Sequence, residues 1–139
     1  MKTTGFDIIA AQQLLKEGFA PWVQELDIHF DKVAEGQAIL RVPAAEQLNR
    51  IGGTVCGQAI MALADTAMVF AVCSAVDAYV PMTTVSQSSS FLRPAADADL
   101  IAHAKIIKQG RSIVYGEVNL YTERPDKPIA HITSTYMLL

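Results

Sequence analysis

The sequence predicts one α+β domain, residues 1–139, in which an antiparallel sheet curls around a single long helix. Its 139 residues are 51% hydrophobic and only 18% charged, which allows one real core and leaves no room for a second domain. A nearly continuous apolar run over residues 59–76 predicts a helix that is hydrophobic on all sides and therefore buried. Segments on both sides of this run alternate between polar and apolar residues, which predicts the strands that cover it.

The first part of the chain predicts a short helix, a hairpin and then the long helix. Residues 6–18 carry apolar side chains at helical spacing and end on a glycine, whereas residues 23–33 alternate as a half-buried strand does. Residues 34–36, Ala-Glu-Gly, predict the turn of a hairpin whose returning strand is residues 37–43. A loop then leads into the long helix at about 55–76.

The remainder of the chain predicts four more strands. Segments rich in Pro, Gly and Asp separate them, as hairpin turns require, and the strands cover roughly residues 80–93, 99–109, 111–123 and 128–138. A sheet of six strands that wraps a helix keeps open edges. We therefore expect this sheet to pair with a second copy of the chain.

Composition and charge exclude several classes of protein. The formal net charge is −3 and the basic residues are scattered, so no surface for nucleic acid is expected. Cys56 and Cys73 lie 17 residues apart on one helical stretch, which is about 25 Å and too far for a disulfide. Free thiols indicate a reducing compartment. The first 19 residues lack the cleavage pattern of a signal peptide, and we expect a cytoplasmic protein.

The apolar run raises the question of a membrane, since its length is close to that of a membrane span. Asp65 lies inside it, and an aspartate at the centre of a span costs roughly 2.5–3.5 kcal/mol on insertion scales. No Lys or Arg closely follows the run. The pattern favours the buried helix of a soluble protein, with no membrane association.

The start of the long helix and the aspartate within it are the features that suggest chemistry. Gly57 falls in the first turn, where backbone N–H groups have no internal partner and can polarise a carbonyl or hold an oxyanion. Asp65 follows two turns later, and Gln58, seven residues before it, shares its helix face. Spacing alone leaves three interpretations of Asp65 open. It is a functional carboxylate, part of an exposed stripe, or a hydrogen-bonding partner of a neighbouring strand.

A set of motifs spread over residues 22–138 is similar to the PaaI group of hot-dog thioesterases. Members of that group have an Asn before a Gly-rich loop, a helix with Leu-Ala-Asp-x-Ala, a strand ending Phe-Leu-Arg-Pro-Ala, and a later Gly-Arg turn. The matching residues here are Asn49, Gly57, Leu63 to Ala67, Phe91 to Ala95, and Gly110-Arg111.

The resemblance implies an acyl-CoA thioesterase that releases a carboxylic acid and free CoA. It assigns the role of general base or nucleophile to Asp65 and polarisation of the thioester carbonyl to the Gly57 backbone N–H. Asn49 would orient the water or the catalytic groups, and Thr84 matches a hydroxyl residue on the strand across the subunit interface.

Further properties follow from the same resemblance. Family members form dimers with sites at the interface, often doubled into dimers of dimers, so a homotetramer is expected. An aromatic acyl group and a role in phenylacetic acid degradation would suit this resemblance. No metal and no cofactor are implied beyond the coenzyme A of the substrate. The candidate substrate and CoA contacts are Gln58, Arg93, Pro94, Gly110 and Arg111.

One position departs from the family pattern. Cys56 stands where the family usually has a histidine, which removes a polar partner near the thioester oxygen but leaves the backbone donor and the carboxylate. A thiol at a helix N-terminus can itself become a nucleophile, so Cys56 is also a candidate catalytic residue. The alternative is a small buried side chain without a role in the reaction.

The same residues allow other interpretations. The loss of the histidine is compatible with a non-catalytic acyl-CoA-binding or regulatory protein, whereas a hot-dog hydratase needs a histidine that this helix lacks. Asp27, His29 and Asp31 share a predicted strand face, which ordinary surface alternation also explains without a metal. The two other histidines, His103 and His131, fall on sheet faces. The serines at 86–90 lack a nucleophile elbow and predict a polar groove wall instead.

Overall fold

The computed structural model describes residues 5–139, so the first four residues of the predicted domain lie outside it. It contains a short 3-10 turn at Glu46–Leu48 and three helices, α1 Ile8–Gly18, α2 Pro21–Gln24 and α3 Gly57–Val76. The strands are β1 His29–Ala34, β2 Gln37–Val42, β3 Met82–Phe91, β4 Leu100–Gln109, β5 Ile113–Tyr121 and β6 Ala130–Leu138. The predicted α+β order is confirmed.

The six strands form one antiparallel sheet in the order β1-β2-β4-β5-β6-β3. The predicted hairpin between β1 and β2 turns at Glu35 and Gly36, both with positive φ (57° and 71°), as a two-residue hairpin turn requires. The first and last strands of the order, β1 and β3, are the sheet edges of the described chain.

The strand predicted for residues 23–33 is wrong in its first half. Residues 21–24 form α2 instead, since Pro21 occupies the first helical turn, where its missing N–H costs nothing. Asp27 then has a φ of 63°, which no extended strand allows, and β1 begins only at His29. The alternation over 23–28 was therefore accidental.

The long helix α3 is the core of the domain, as predicted. Eleven of its 20 residues are buried, and the sheet curls around it, mainly through β2, β4 and β5. The helix and the sheet approach each other closely at β5. A Cβ atom added at Gly116 would lie 2.8 Å from Met68 Cε and 2.6 Å from the Lys105 carbonyl oxygen. Burial by the sheet explains why α3 is as apolar as a membrane span.

Within residues 5–139, strand β3 pairs only with β6, and it exposes most of its residues. Its ladder shifts register between Thr84 and Ser86, so Val85 is an extra residue, a β-bulge. The bulge decides which residues of β3 face the helix, and it lies beside the candidate site.

Candidate active site

Asp65 lies near the middle of α3, on the stripe of this helix that the sheet leaves partly open. Gln58 and Met61 on the same stripe are exposed, and Asp65 itself is half-buried. Residues spaced by three, four or seven share a helix face, so the prediction that Gln58 and Asp65 do so is confirmed.

Two hydroxyl groups donate to the Asp65 carboxylate. Thr84 Oγ1 on β3 donates to Oδ1 at 2.9 Å, and the Tyr136 hydroxyl on β6 contacts the same oxygen. The Tyr136 hydroxyl also lies 2.8 Å from the Asp65 backbone oxygen. The predicted hydrogen bond to a neighbouring strand is therefore present. It does not rule out a functional carboxylate, since hydroxyl donors also orient a reacting group.

The sheet brings the two hydroxyls together. Thr84 and Tyr136 are directly opposite each other in the β3–β6 ladder, and opposite residues share a sheet face. Tyr136 belongs to the inward set of β6, because buried and partly buried residues alternate along that strand. The bulge at Val85 turns Thr84 to the same inward face, although the chain beyond it has the opposite alternation.

The serines of β3, predicted as a polar groove wall, lie mostly on the outer face of the sheet. Ser86, Ser88 and Ser90 pair with outward residues of β6 and so lie on the outer face of the sheet. Among the serines of this strand, Ser89 is opposite the buried Ile132 and shares the inner face. The bulge is the reason, since it reverses the alternation after Thr84.

Tyr136 is a site residue that the sequence analysis missed. Its side chain is 1% exposed, and burial, together with the charge of Asp65, raises the pKa of its phenol well above the ordinary range. The phenol therefore stays protonated and donates. A tyrosine at an inward position of a strand needs a partner for its hydroxyl, and that signal was available in the sequence.

The N-terminal end of α3 carries the second group of candidates. Cys56 is the N-cap and its side chain makes no capping hydrogen bond, while Gly57 is the first helical residue. A Cβ at Gly57 would meet only the Phe91 ring, 3.4 Å away, which is an ordinary contact. The first backbone N–H groups of this helix are thus free of internal partners, and no side chain at position 57 covers them.

Asn49 lies beside this helix end and not beside Asp65. It forms an isolated antiparallel bridge with Val55, which closes the Gly-rich loop, and the next residue, Cys56, donates its N–H to the Leu48 carbonyl at 2.9 Å. Asn49 also lines a cavity of about 230 Å³ with Leu100 and other residues. Asn49 therefore lies in the same group of candidate residues as Gly57 and Cys56.

One chain does not bring its two candidate groups into contact. Gly57 and Asp65 are eight positions apart along α3, which is about 12 Å at the usual rise per residue. A thioester carbonyl that touched the Gly57 N–H would be out of reach of the Asp65 carboxylate of the same chain. The pair Asp65 and Thr84 forms one half of the candidate site, and Asn49, Cys56 and Gly57 form the other.

The candidate CoA contacts also fall at two places. Arg93 and Pro94 line a cavity of about 370 Å³ that also includes Gly57, and Arg93 donates to the Pro128 carbonyl at 2.7 Å. Gly110 and Arg111 lie in the β4–β5 turn. The length of β4, about 30 Å, separates that turn from the end of the sheet near Asn49.

Two further cavities lie along the open stripe of α3, and Trp22 of α2 borders both. One, of about 260 Å³, is lined by Asp65 with apolar residues that include Phe19 and Val69. The other, of about 300 Å³, is lined by Cys56 and Gln58. Trp22 is 59% exposed and was not predicted as a site residue, since the sequence indicated a strand there.

The weaker metal hypothesis finds no support in the geometry. His29 is paired with Asp27 at 3.1 Å, and Asp31 is bound by Arg41 at 2.6 Å. Residues 5–139 contain no group of three His, Cys, Asp or Glu side chains placed to hold a metal ion.

The two remaining histidines, predicted to fall on sheet faces, both lie on the outer face of the sheet. His103 contacts Gln37 at 2.7 Å, and His131 contacts Glu117 at 3.0 Å. Burial, assisted by nearby lysines, lowers the pKa of His103. All three histidines of the chain are thus engaged away from Cys56, the residue for which a histidine base would matter most.

The long helix enclosed by a curled antiparallel sheet, with a carboxylate on its open stripe, defines the hot-dog class. The family model of the Thioesterase superfamily matches residues 52–129. The chain therefore belongs to the Thioesterase superfamily and is a thioester hydrolase. The matched segment contains Gly57, Asp65 and Thr84, whereas Asn49 and Tyr136 lie outside it.

Individual relatives agree with this assignment. A predicted esterase of Halobacterium salinarum is 32% identical in an alignment of length 130 that covers 86% of this chain and 83% of that protein. A predicted thioesterase from Silicibacter sp. TM1040 superposes with a TM-score of 0.85 at 30% identity, covering 99% of this chain and 94% of the other. The Escherichia coli PaaI protein from the phenylacetic acid degradation operon superposes with a TM-score of 0.83 at 20% identity, with 95% and 93% covered. The last similarity shows a shared fold.

Proposed function

We propose that this thioester hydrolase acts on acyl-CoA and that Asp65 is its general base or nucleophile. The observation that carries the proposal is the hydrogen-bonded carboxylate on the open stripe of α3. Both hydroxyl donors, Thr84 and Tyr136, reach Oδ1, and neither donates to Oδ2. Oδ2 is therefore the oxygen available to a water molecule or a thioester, and it belongs to a residue that lines a cavity.

In the general-base form of the reaction, Asp65 takes a proton from water as the water oxygen attacks the thioester carbonyl carbon. The carbonyl oxygen becomes an oxyanion, which the Gly57 N–H and the dipole of α3 stabilise. The tetrahedral intermediate then breaks its C–S bond. The CoA thiolate takes up the proton, and a free acid and CoA leave.

We further propose that two copies of the chain build each site. The separation of about 12 Å between Gly57 and Asp65 prevents one chain from holding both ends of the reaction. Strand β3 is an exposed edge strand next to Asp65, and pairing of two such edges would place a second α3 nearby. Asp65 and Thr84 would come from one subunit, and Asn49 and Gly57 from the other. Pairing of two such dimers into a homotetramer is part of the same proposal.

The acyl group is proposed to enter the cavity beside Asp65. Apolar side chains line it, and the hydroxyl of Thr66, the other polar residue there, is bound to the Ala62 carbonyl at 2.8 Å. A cavity of 150 Å³ is known to hold benzene, so about 260 Å³ accommodates an aromatic acyl group. An aromatic acyl-CoA, as in phenylacetic acid degradation, is therefore the substrate to test first. The free thiols fit a cytoplasmic location.

A free-thiol release assay over a panel of aromatic and aliphatic acyl-CoA substrates tests the proposal. Asp65→Asn should lower kcat/KM by about 10²- to 10⁴-fold, the usual contribution of a general base. Asp126→Asn, in an exposed pair with Arg124, is the matched control and should behave as wild type. Full activity of Asp65→Asn would disprove the catalytic role of this carboxylate.

Two other outcomes would replace the proposal. Loss of turnover in Cys56→Ser alone would indicate a thiol nucleophile at the start of α3. Binding of acyl-CoA by the wild-type protein without thiol release from any substrate would indicate the binding or regulatory protein that the missing histidine allows. Gel filtration with light scattering should meanwhile give a dimer or tetramer, and a monomer with full activity would contradict the shared site.

A further inference from the structure

We infer that Tyr136 is a positioning residue for the reaction, which fixes the orientation of the Asp65 carboxylate and leaves one oxygen free to react. The inference rests on the proposed function of Asp65 and goes beyond it, because it concerns a residue outside the segment that matches the family model. It stands on a contact between β6 and α3 that joins the sheet to the middle of the helix.

The contact is buried and has two parts. The Tyr136 hydroxyl reaches the Asp65 backbone oxygen at 2.8 Å and also Oδ1 of the same residue. A phenol has one proton to donate, so the two acceptors share it. The backbone oxygen ties the hydroxyl to the helix, and Oδ1 ties the carboxylate to the hydroxyl. The side chain of Asp65 is thus held against its own main chain.

Thr84 completes the restraint from the other side. Its hydroxyl donates to the same Oδ1 at 2.9 Å, so two hydroxyls from adjacent strands converge on one oxygen. Rotation of the carboxylate would break both hydrogen bonds at once. Donors to a charged acceptor are the stronger class of hydrogen bond, and this favours a single orientation with Oδ2 turned away from the sheet.

A solely structural role would not require this arrangement. The ring of Tyr136 fills the core between the sheet and α3, and a phenylalanine would fill nearly the same volume. The hydroxyl could also satisfy its hydrogen bond with the backbone oxygen alone. Its approach to the carboxylate adds a donor whose proton stays in place, because burial and the neighbouring charge raise the pKa of the phenol.

Tyr136→Phe tests the inference, with Tyr115→Phe on the exposed face of β5 as the matched control. We expect kcat to fall by about 10- to 100-fold with little change in KM, since a misplacement of about 1 Å can cost that much. Tyr115→Phe should change neither.

The possible failures are distinguishable. If Asp65→Asn abolishes turnover while Tyr136→Phe keeps the wild-type kcat, the positioning role is wrong and the proposed function stands. If Asp65→Asn is fully active, the proposed function itself fails.

A measurement on the wild-type protein covers the case in which Tyr136→Phe does not fold. NMR of tyrosine-labelled protein should show a slowly exchanging, low-field hydroxyl proton of Tyr136 that moves upfield in Asp65→Asn. The absence of this resonance would overturn the inference.

Discussion

Replacing Gly57 with alanine should separate what the fold needs from what the reaction needs. A methyl group at this position would meet the Phe91 ring at 3.4, 3.5 and 4.0 Å, all ordinary contact distances. The backbone φ of Gly57 is not in the left-handed region, so alanine is not strained there. The free energy of unfolding should therefore change by less than about 0.5 kcal/mol, as for substitutions that disturb no special feature.

The effect on activity should be much larger. The proposed thioester oxygen must come within hydrogen-bond distance of the Gly57 N–H, and a methyl on the adjacent carbon stands in its path. Loss of one donor to an oxyanion costs about 10²- to 10³-fold in kcat, and a blocked approach should cost a similar amount. Thermal melting gives the stability, and thiol release with a fixed acyl-CoA gives the rate.

A variant outside the candidate site serves as the control. Asp126→Asn, in the exposed pair with Arg124, should leave turnover unchanged. Wild-type turnover by a folded Gly57→Ala protein would refute the proposed contact, because the substrate would then not approach the Gly57 backbone N–H. A Gly57→Ala protein that fails to fold would show that the Phe91 ring cannot accommodate the added methyl group, contrary to the contact distances.

The remaining predictions concern the wall of the acyl cavity and the buried thiol. Trp22→Ala should shift the preference of the enzyme towards bulkier acyl groups, measured as the ratio of kcat/KM for two chain lengths, and an unchanged ratio would place the acyl group elsewhere. Cys73 should resist a thiol reagent at pH 8 in the folded protein and react after denaturation, because burial raises the pKa of its thiol to about 12. The folded state holds this proton while the unfolded thiol loses it near 9.0, so stability should fall as pH rises from about 9 towards 12.

The main elements of the fold follow from residue patterns that leave little choice. The apolar run of α3 has no stable position outside a core, and the last four strands are separated by unmistakable turn residues. Asp65 could be recognised as a candidate from the same apolar run, since a single carboxylate in such a helix needs an explanation. The sequence left three interpretations of Asp65 open. The hydrogen bonds from Thr84 and Tyr136, which depend on the pairing of β3 with β6, show that the contact with a neighbouring strand is present.

The predictions that failed depended on local alternation without its tertiary setting. Residues 23–28 alternate well enough for a strand, but Pro21 and the left-handed Asp27 turn the chain into a short helix and a bend. The same change places Trp22 beside the candidate site, which no strand would have done. The serines at 86–90 were predicted to form a groove wall, but the sequence could not show that Ser86, Ser88 and Ser90 lie on the outer face, because a β-bulge leaves no periodic signal in a single sequence.

The bulge at Val85 also determines how β3 can vary. Because Thr84 is opposite Tyr136 and Ser86 is opposite Thr135, removing this one residue would leave a regular ladder in which Thr84 still faces Asp65. Loss of a paired residue of β3 would instead reverse the two faces of part of the strand, although no residue of the site had been replaced. Relatives that lack only the extra residue would be expected to present the same position to the carboxylate.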